Sequence, residues 1–250
     1  METANYNNIP DIELSYNDEY NPTIKSPNCP YELSFFQTKS TLMDISLYKK
    51  FLHNSISRFR RSATYKNYKR YLCEVLGMNR CQVMSNIDSD MADIEMHHNF
   101  ITIFDIALLI TEHVINTKGY ICTFDLVQLL KEEHKANRIP IVMLSKTVHQ
   151  MYHNNPDFVL PARMCFGYWQ ELLIKYNKGI TLEIANKCVN FIQKSIEMYQ
   201  NMGLECSNKL LGLRNDLIDW STLNQYGESM MIEGPIYDEE SDDSYRIYDE

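Results

Sequence analysis

Two short stretches hold residues whose types and spacing suit chemistry. The segment 141-IVMLSKTVHQMYHNN-155 carries His149 and His153 four residues apart, and 94-IEMHHNF-100 carries the adjacent pair His97 and His98. The chain has seven histidines, so these two stretches hold most of them. Imidazoles four apart on a helix share one face and can converge on a single ion, with bonds of ~2.0–2.1 Å if it is zinc. A strand histidine facing that helix completes a three-imidazole set and leaves a position open. A neighbouring histidine off the metal can take a proton from water near neutral pH, which is worth roughly 10²–10⁴ in rate. Either pair alone is ordinarily surface or core decoration. Together, in the order strand, intervening segment, apolar strand and helix, they are a more specific frame. His53, His113 and His134 lack a partner at ligand spacing and read as ordinary residues.

The elements that must position these residues follow from periodicity and capping patterns. Residues 92–98 read as a strand that enters the histidine pair, and 140–144, opened by Pro140, as a buried apolar strand. Thr147-Val-His-Gln150 has the form of a capping box, which predicts a helix starting at Thr147. Thr102-Ile-Phe-Asp105 has the same form and predicts an apolar helix to about Asn116, with a break at Lys118-Gly119. A further helix is expected over roughly 123–136, with Leu126, Val127, Leu129 and Leu130 turned inward. Upstream, 41–77 reads as helical with Gly77 as its stop, and 78–88 as loop or a short extended stretch. Downstream, helices are expected around 162–177, 181–201 and 204–219.

With these elements in place, the chain resembles the HNH, or ββα-metal, endonuclease family. IEMHHNF followed by IVMLSKTVHQMYHN is similar to the all-histidine version found in colicin DNases, and LSKTVHQMYHN to phage-encoded members. The resemblance covers roughly residues 94–154. It implies an α+β, mostly helical protein with a ββα-metal core, a two-helix insertion over 103–136 and flanking helices. It implies His98 as the general base, His97, His149 and His153 on one divalent ion, and Glu95 as a supporting acid. The activity implied is hydrolysis of DNA phosphodiester bonds. An imidazole set suits zinc or nickel, while this chemistry commonly accepts magnesium or manganese. The chain departs from the family pattern in two places. Ser145 and Val148 stand where many members carry a cysteine pair, and the middle Asn falls near Pro140, with Asn137 only a neighbour. The alternative is a catalytically silent protein of the same fold that binds DNA or serves a phage particle or its regulation.

Charge and composition bound the rest. The 250 residues carry a net charge of −9, unevenly spread. Residues 222–250 hold nine acids against one arginine, while 49–80 hold nine basic residues against the single Glu74. Within 58-RFRRSATYKNYKR-70, Arg58, Arg60, Arg61, Lys66, Lys69 and Arg70 alternate with aromatic residues, either as a solvated helix face or as a surface that follows phosphates. Lys146, at the helix start, is a phosphate contact or a plain surface lysine. The organisation expected is a mobile arm over 1–40, a basic helical segment over 41–80, the core over 81–160, a helical region over 161–221 and a disordered acidic tail over 222–250. That tail is a solubilising segment or a competitor with DNA for the basic segment, in its own chain or on a partner protein. Phe166, Tyr168 and Trp169 read as core rather than as a base-stacking platform. Seven cysteines without a CxxC pair indicate reduced thiols, hence an intracellular protein, in the host cytoplasm if phage-encoded. No apolar run approaches the ~18 residues of a membrane span. Neither a phosphate-cradling glycine loop nor a GxSxG elbow occurs, which sets aside nucleotide-binding folds and serine hydrolases.

Overall fold

The computed structural model describes residues 13–16, 22–26, 29–34, 36–155 and 157–205. The protein is α+β and mostly helical, as expected. Strands β1 (Glu13–Tyr16), β2 (Pro22–Ser26) and β3 (Cys29–Ser34) form an antiparallel sheet in that order. These three strands stand within 1–40, where the sequence suggests a mobile arm. Its short runs ELSY, TIK and YEL alternate apolar with polar residues, the period that favours strands. The two-residue strand β4 (Gln37–Thr38) follows.

Helix α1 (Ile45–Arg60) starts at Asp44, whose carboxylate accepts from the Ser46 and Leu47 amides at 2.8 and 3.1 Å. It buries Tyr48, Phe51, Leu52, Ser55, Ile56 and Phe59, steps of three and four that make one face. Helix α2 (Ala63–Arg70) is capped by the Ser62 hydroxyl, and a π-type turn over Tyr71–Val75 extends it. The helical run ends at Gly77, whose φ of 67° is a conformation that favours glycine. The expected single helical stretch is therefore two helices, broken at Arg61 and Ser62.

Strand β5 (Ile94–His98) then leads into α3 (Ile103–Lys118). The Thr102–Asp105 capping box forms as read, with both reciprocal bonds in place. Ile106, Ala107, Leu108, Leu109 and Ile110 are all buried, so α3 is apolar on nearly every side. Such a helix belongs at the centre of a core. The expected insertion is thus the middle of the molecule rather than an appendage. Strand β6 (Tyr120–Ile121) pairs antiparallel with β4, and α4 (Thr123–Lys135) follows, capped by Cys122 and Asp125.

Strand β7 (Ile141–Ser145) pairs antiparallel with β5 in the register Ile94↔Ser145, Met96↔Met143 and His98↔Ile141. All five of its residues are buried. Helix α5 (Lys146–Asn154) begins with no loop between, and the Lys146 amide bonds the Asp93 carbonyl at 3.0 Å. The expected capping box from Thr147 to Gln150 does not form. The chain turns at Ser145, so Thr147 already lies inside the first turn, where it cannot act as a cap. Strands β5 and β7 pair although α3, β6 and α4 separate them in the chain, and α5 follows β7 directly.

The expected helix over 162–177 is shorter. Phe166 bridges to Ile141 and continues the β5–β7 pair, and only α6 (Trp169–Lys175) is a full helix. Gly167, at φ 106°, permits this, because a Cβ there would collide with the Ile139 carbonyl. Trp169 is core as read, whereas Tyr168 is exposed. The last described helix, α7 (Leu182–Asn201), lays Phe191 on Phe100 with ring centroids 4.2 Å apart. Among the described residues, no helix is long and apolar enough to cross a membrane. The expected helix over 204–219 lies almost wholly outside the described residues, and the acidic tail over 222–250 lies entirely outside them.

Candidate metal centre

Strand alternation sorts the histidine segment onto two faces. Glu95 and His97 are two apart and share one face of β5; Met96 and His98 share the other. Helix α5 crosses the first face and adds His149 and His153 one turn apart. Buried Val148 anchors α5 on the core. His97 Nδ1 stands 3.0 Å from His149 Nε2, and His149 Nε2 stands 3.0 Å from His153 Nε2. One ring nitrogen from each of the three lies within 4.8 Å of the others. A tetrahedral ion with ~2.0–2.1 Å bonds sets its ligands about 3.3 Å apart, so small side-chain adjustments suffice.

The tautomers follow from the partners. Glu95 Oε2 lies 2.5 Å from His149 Nδ1, which donates its proton to the carboxylate. His149 Nε2 is then a lone pair directed at the meeting point of the three rings. A carboxylate behind a ligating imidazole is the arrangement that fixes ring orientation and raises ligand basicity. Tyr152 sets its ring edge-on to His97, with centroids 4.7 Å apart. Burial, reinforced by His149 and His153, holds the His97 imidazole down at about 3, so it is neutral and ready to ligate at ordinary pH. Its Nε2 is buried without a hydrogen-bond partner. Ligation through Nδ1 puts the proton on that orphaned atom, a cost of about 1–3 kcal/mol that the His149 geometry avoids. Exposure rises from His97 through His149 to His153, so the open side of the cluster faces solvent.

His98 does not join this cluster, contrary to its expected role as general base. It is buried on the opposite face, with Nε2 3.3 Å from His134 Nε2. His134 Nδ1 donates to the Leu130 carbonyl at 2.7 Å, so its Nε2 accepts from His98. Phe59, Tyr65 and Tyr68 surround the His134 ring. Burial pushes His98 well below its usual range, helped by His134 and Arg60, and holds His134 at about 4. Two neutral imidazoles joined by one hydrogen bond thus bolt β5 to α4. The bolt was legible in part, because Leu126, Leu130 and His134 step by four along the buried stripe of α4.

The basic residues fall on the bolt side. Helices α1 and α2 reach His134 through Phe59, Tyr65 and Tyr68, so they lie beyond the His98 face and not beside the three-histidine cluster. Arg58, Arg61, Lys66 and Lys69 are exposed there. Arg60 is half-buried and close enough to His98 to disfavour its protonation. Arg70 pairs with Glu74 at 3.2 Å on the open surface, an interaction of little weight. Of the expected phosphate contacts, only Lys146 shares an element with the cluster, exposed three residues before His149. The neighbouring Asn137 is also on the bolt side, at φ 55°, where its Oδ1 accepts from the Tyr68 hydroxyl at 3.2 Å.

The sequence profile of the bacteriophage G278-like virion proteins matches residues 1–222, and the chain belongs to that family. No curated protein and no solved structure matches it.

Proposed function

We propose that this member of a phage virion family is a metal-holding module, in which a ββα corner binds one divalent transition ion without cutting nucleic acid. The observation that carries the proposal is the convergence of His97 Nδ1, His149 Nε2 and His153 Nε2, with Glu95 directing the His149 lone pair. Three imidazoles suit zinc or nickel better than magnesium or manganese, which prefer oxygen ligands. In this reading the ion staples β5 to α5, and its open position faces whatever the virion presents there. The protein is made in the host cytoplasm and carried in the particle.

The second reading is the metal-dependent DNA endonuclease that the HNH resemblance implies. The pairing of β5 with β7, the helix α5 directly after β7 and the solvent-facing side of the cluster favour it. The buried His98 speaks against it, because a general base must reach the attacking water, directly or through one water molecule. One experiment separates the two readings. The purified chain is titrated with zinc, nickel, magnesium and manganese by calorimetry, and each mixture is then incubated with supercoiled plasmid, with a chelator control. Stoichiometric zinc or nickel binding that is lost in His149→Ala, with intact plasmid throughout, supports the module. Nicking that disappears with chelator and in His149→Ala establishes the nuclease and overturns the module. Absence of any ion binding removes both.

A further inference from the structure

Several described cations have carboxylate partners: Arg138 and Lys175 on the fully buried Glu133, Lys187 on Asp105 and Glu183, and Arg70 on Glu74. In the α1–α2 segment, residues 49–70 hold eight basic side chains and no acid. Exposed Arg58, Arg61, Lys66 and Lys69 have no carboxylate partner among the described residues. At the α1–α2 corner, Asn54, Ser57, Arg58, Arg61 and Ser62 line an open polar cleft of about 570 Å³. Arg61 Nη2 donates to Ser57 Oγ at 2.5 Å, which holds its guanidinium along the cleft wall. This face has the chemistry of an anion-binding surface whose counter-charge is missing from the described fold.

We propose that residues 233–250 of the same chain dock on this face. The segment EGPIYDEESDDSYRIYDE carries eight acids against Arg246, and it is the most acidic stretch of the sequence. Its net charge, one arginine less eight acids or −7, is opposite in sign to that of the basic face. Its tyrosines, at 237, 245 and 248, flank the acids and can lie over arginine guanidinium planes as the carboxylates pair. Reach is not limiting. The segment starts 28 residues beyond the last described residue, Glu205, which allows up to about 90 Å of extended chain. A domain of this size is only about 40 Å across.

Tethering favours the tail over a free polyanion. A segment joined to its binding face within one chain is present at an effective concentration on the order of millimolar. Nucleic acid in dilute solution must compete with that, and with the chain's net charge of −9. The interaction is between exposed charges, so salt above roughly 0.5 M releases it. This proposal stands apart from the metal reading, because the basic face and the histidine cluster lie on opposite sides of β5.

The test uses the full chain at low salt. A zero-length carbodiimide joins lysine amines to carboxylates in contact, and mass spectrometry maps the links. We expect Lys66 and Lys69 to link to acids within 238–243, within one chain when heavy- and light-isotope protein are mixed, and the links to vanish at about 1 M salt. In parallel, a tail variant carrying Asp238→Asn, Glu239→Gln, Glu240→Gln, Asp242→Asn and Asp243→Asn is measured for binding to a short DNA duplex at about 50 mM salt. Uncovering the face should tighten binding at least ~10-fold, and adding Arg58→Gln, Arg61→Gln and Lys66→Gln should abolish the gain. Absence of links to Lys66 and Lys69 overturns the proposal. Links only between heavy and light chains assign the tail to a second copy and overturn the same-chain docking. Equal DNA affinity of wild type and tail variant shows that the face is open to nucleic acid, and it overturns the proposal too.

Discussion

His97 and His98 are the same residue type one position apart, yet they occupy opposite chemical worlds. His97 faces α5 and contributes a neutral ring nitrogen to a cluster that opens to solvent through His153. His98 faces α4 and spends its hydrogen bond on His134 inside an aromatic shell. The backbone places them alike; the period of two along a strand separates them. The difference teaches that a His-His pair is one ligand and one structural residue unless a bulge or a turn brings both rings to one side. Here the β5–β7 register runs unbroken through both residues.

The largest break in this comparison comes from removing a ligand on the open face. His149→Ala leaves two imidazoles and should lower zinc affinity by more than the roughly 100-fold attached to loss of an outer partner. The metal-free protein should keep its urea midpoint within a small margin, because His149 is only half-buried. Calorimetry and urea denaturation on the same preparation check both halves.

His98→Ala should do the reverse. It empties a buried site and strands His134 Nε2, for a loss of about 2–4 kcal/mol in stability. Metal affinity should stay within a few-fold of wild type wherever the variant remains folded. A variant that loses metal binding while fully folded would place His98 in the cluster and erase the contrast.

Acid should weaken the bolt as well. His134 is held at about 4 in the fold and returns to about 6.5 when unfolded, so between these values the unfolded chain binds more protons. Its contribution is complete above about pH 6.5 and is lost as pH falls toward 4, by up to about 3 kcal/mol. Chemical denaturation at pH 7.5, 6 and 5 should show stability declining in that order. A flat profile would show that His134 is not sealed.

The smallest expected effect sharpens the picture of the open face. Glu95→Gln keeps the shape of the side chain but removes the carboxylate charge behind His149, and should lower zinc affinity about 10–100-fold with stability nearly unchanged. Glu95→Gln affinity equal to that of wild type would show that the carboxylate is incidental to the cluster.

The sequence made some of this legible and hid the rest for definite reasons. Thr102 and Asp105 capped α3 as read, because a capping box is a local device. The shared face of His149 and His153 was readable from helix spacing, whereas the choice of His97 as their strand partner rested on the family resemblance. His98 was misassigned, since the family resemblance outweighed the plain alternation of strand faces. The cap at Cys122 went unread because cysteine is not among the usual capping residues, although it bonds the Asp125 amide. The centrality of α3 was also missed: an apolar run shows burial but not which partners do the burying.

The strand pairing between β5 and β7 carries a consequence for time rather than energy. Two members of the histidine cluster, His97 and His149, are 52 residues apart in the chain, and α3 and α4 are folded between them. The ends of such a stretch meet only after the helices between have collapsed, because closing a long loop costs entropy before any contact offsets it. On the metal reading proposed above, capture of zinc would follow that collapse. In a refolding experiment, a chromogenic chelator should yield its metal in step with the slowest folding phase, and the ion should mark chains whose core is complete.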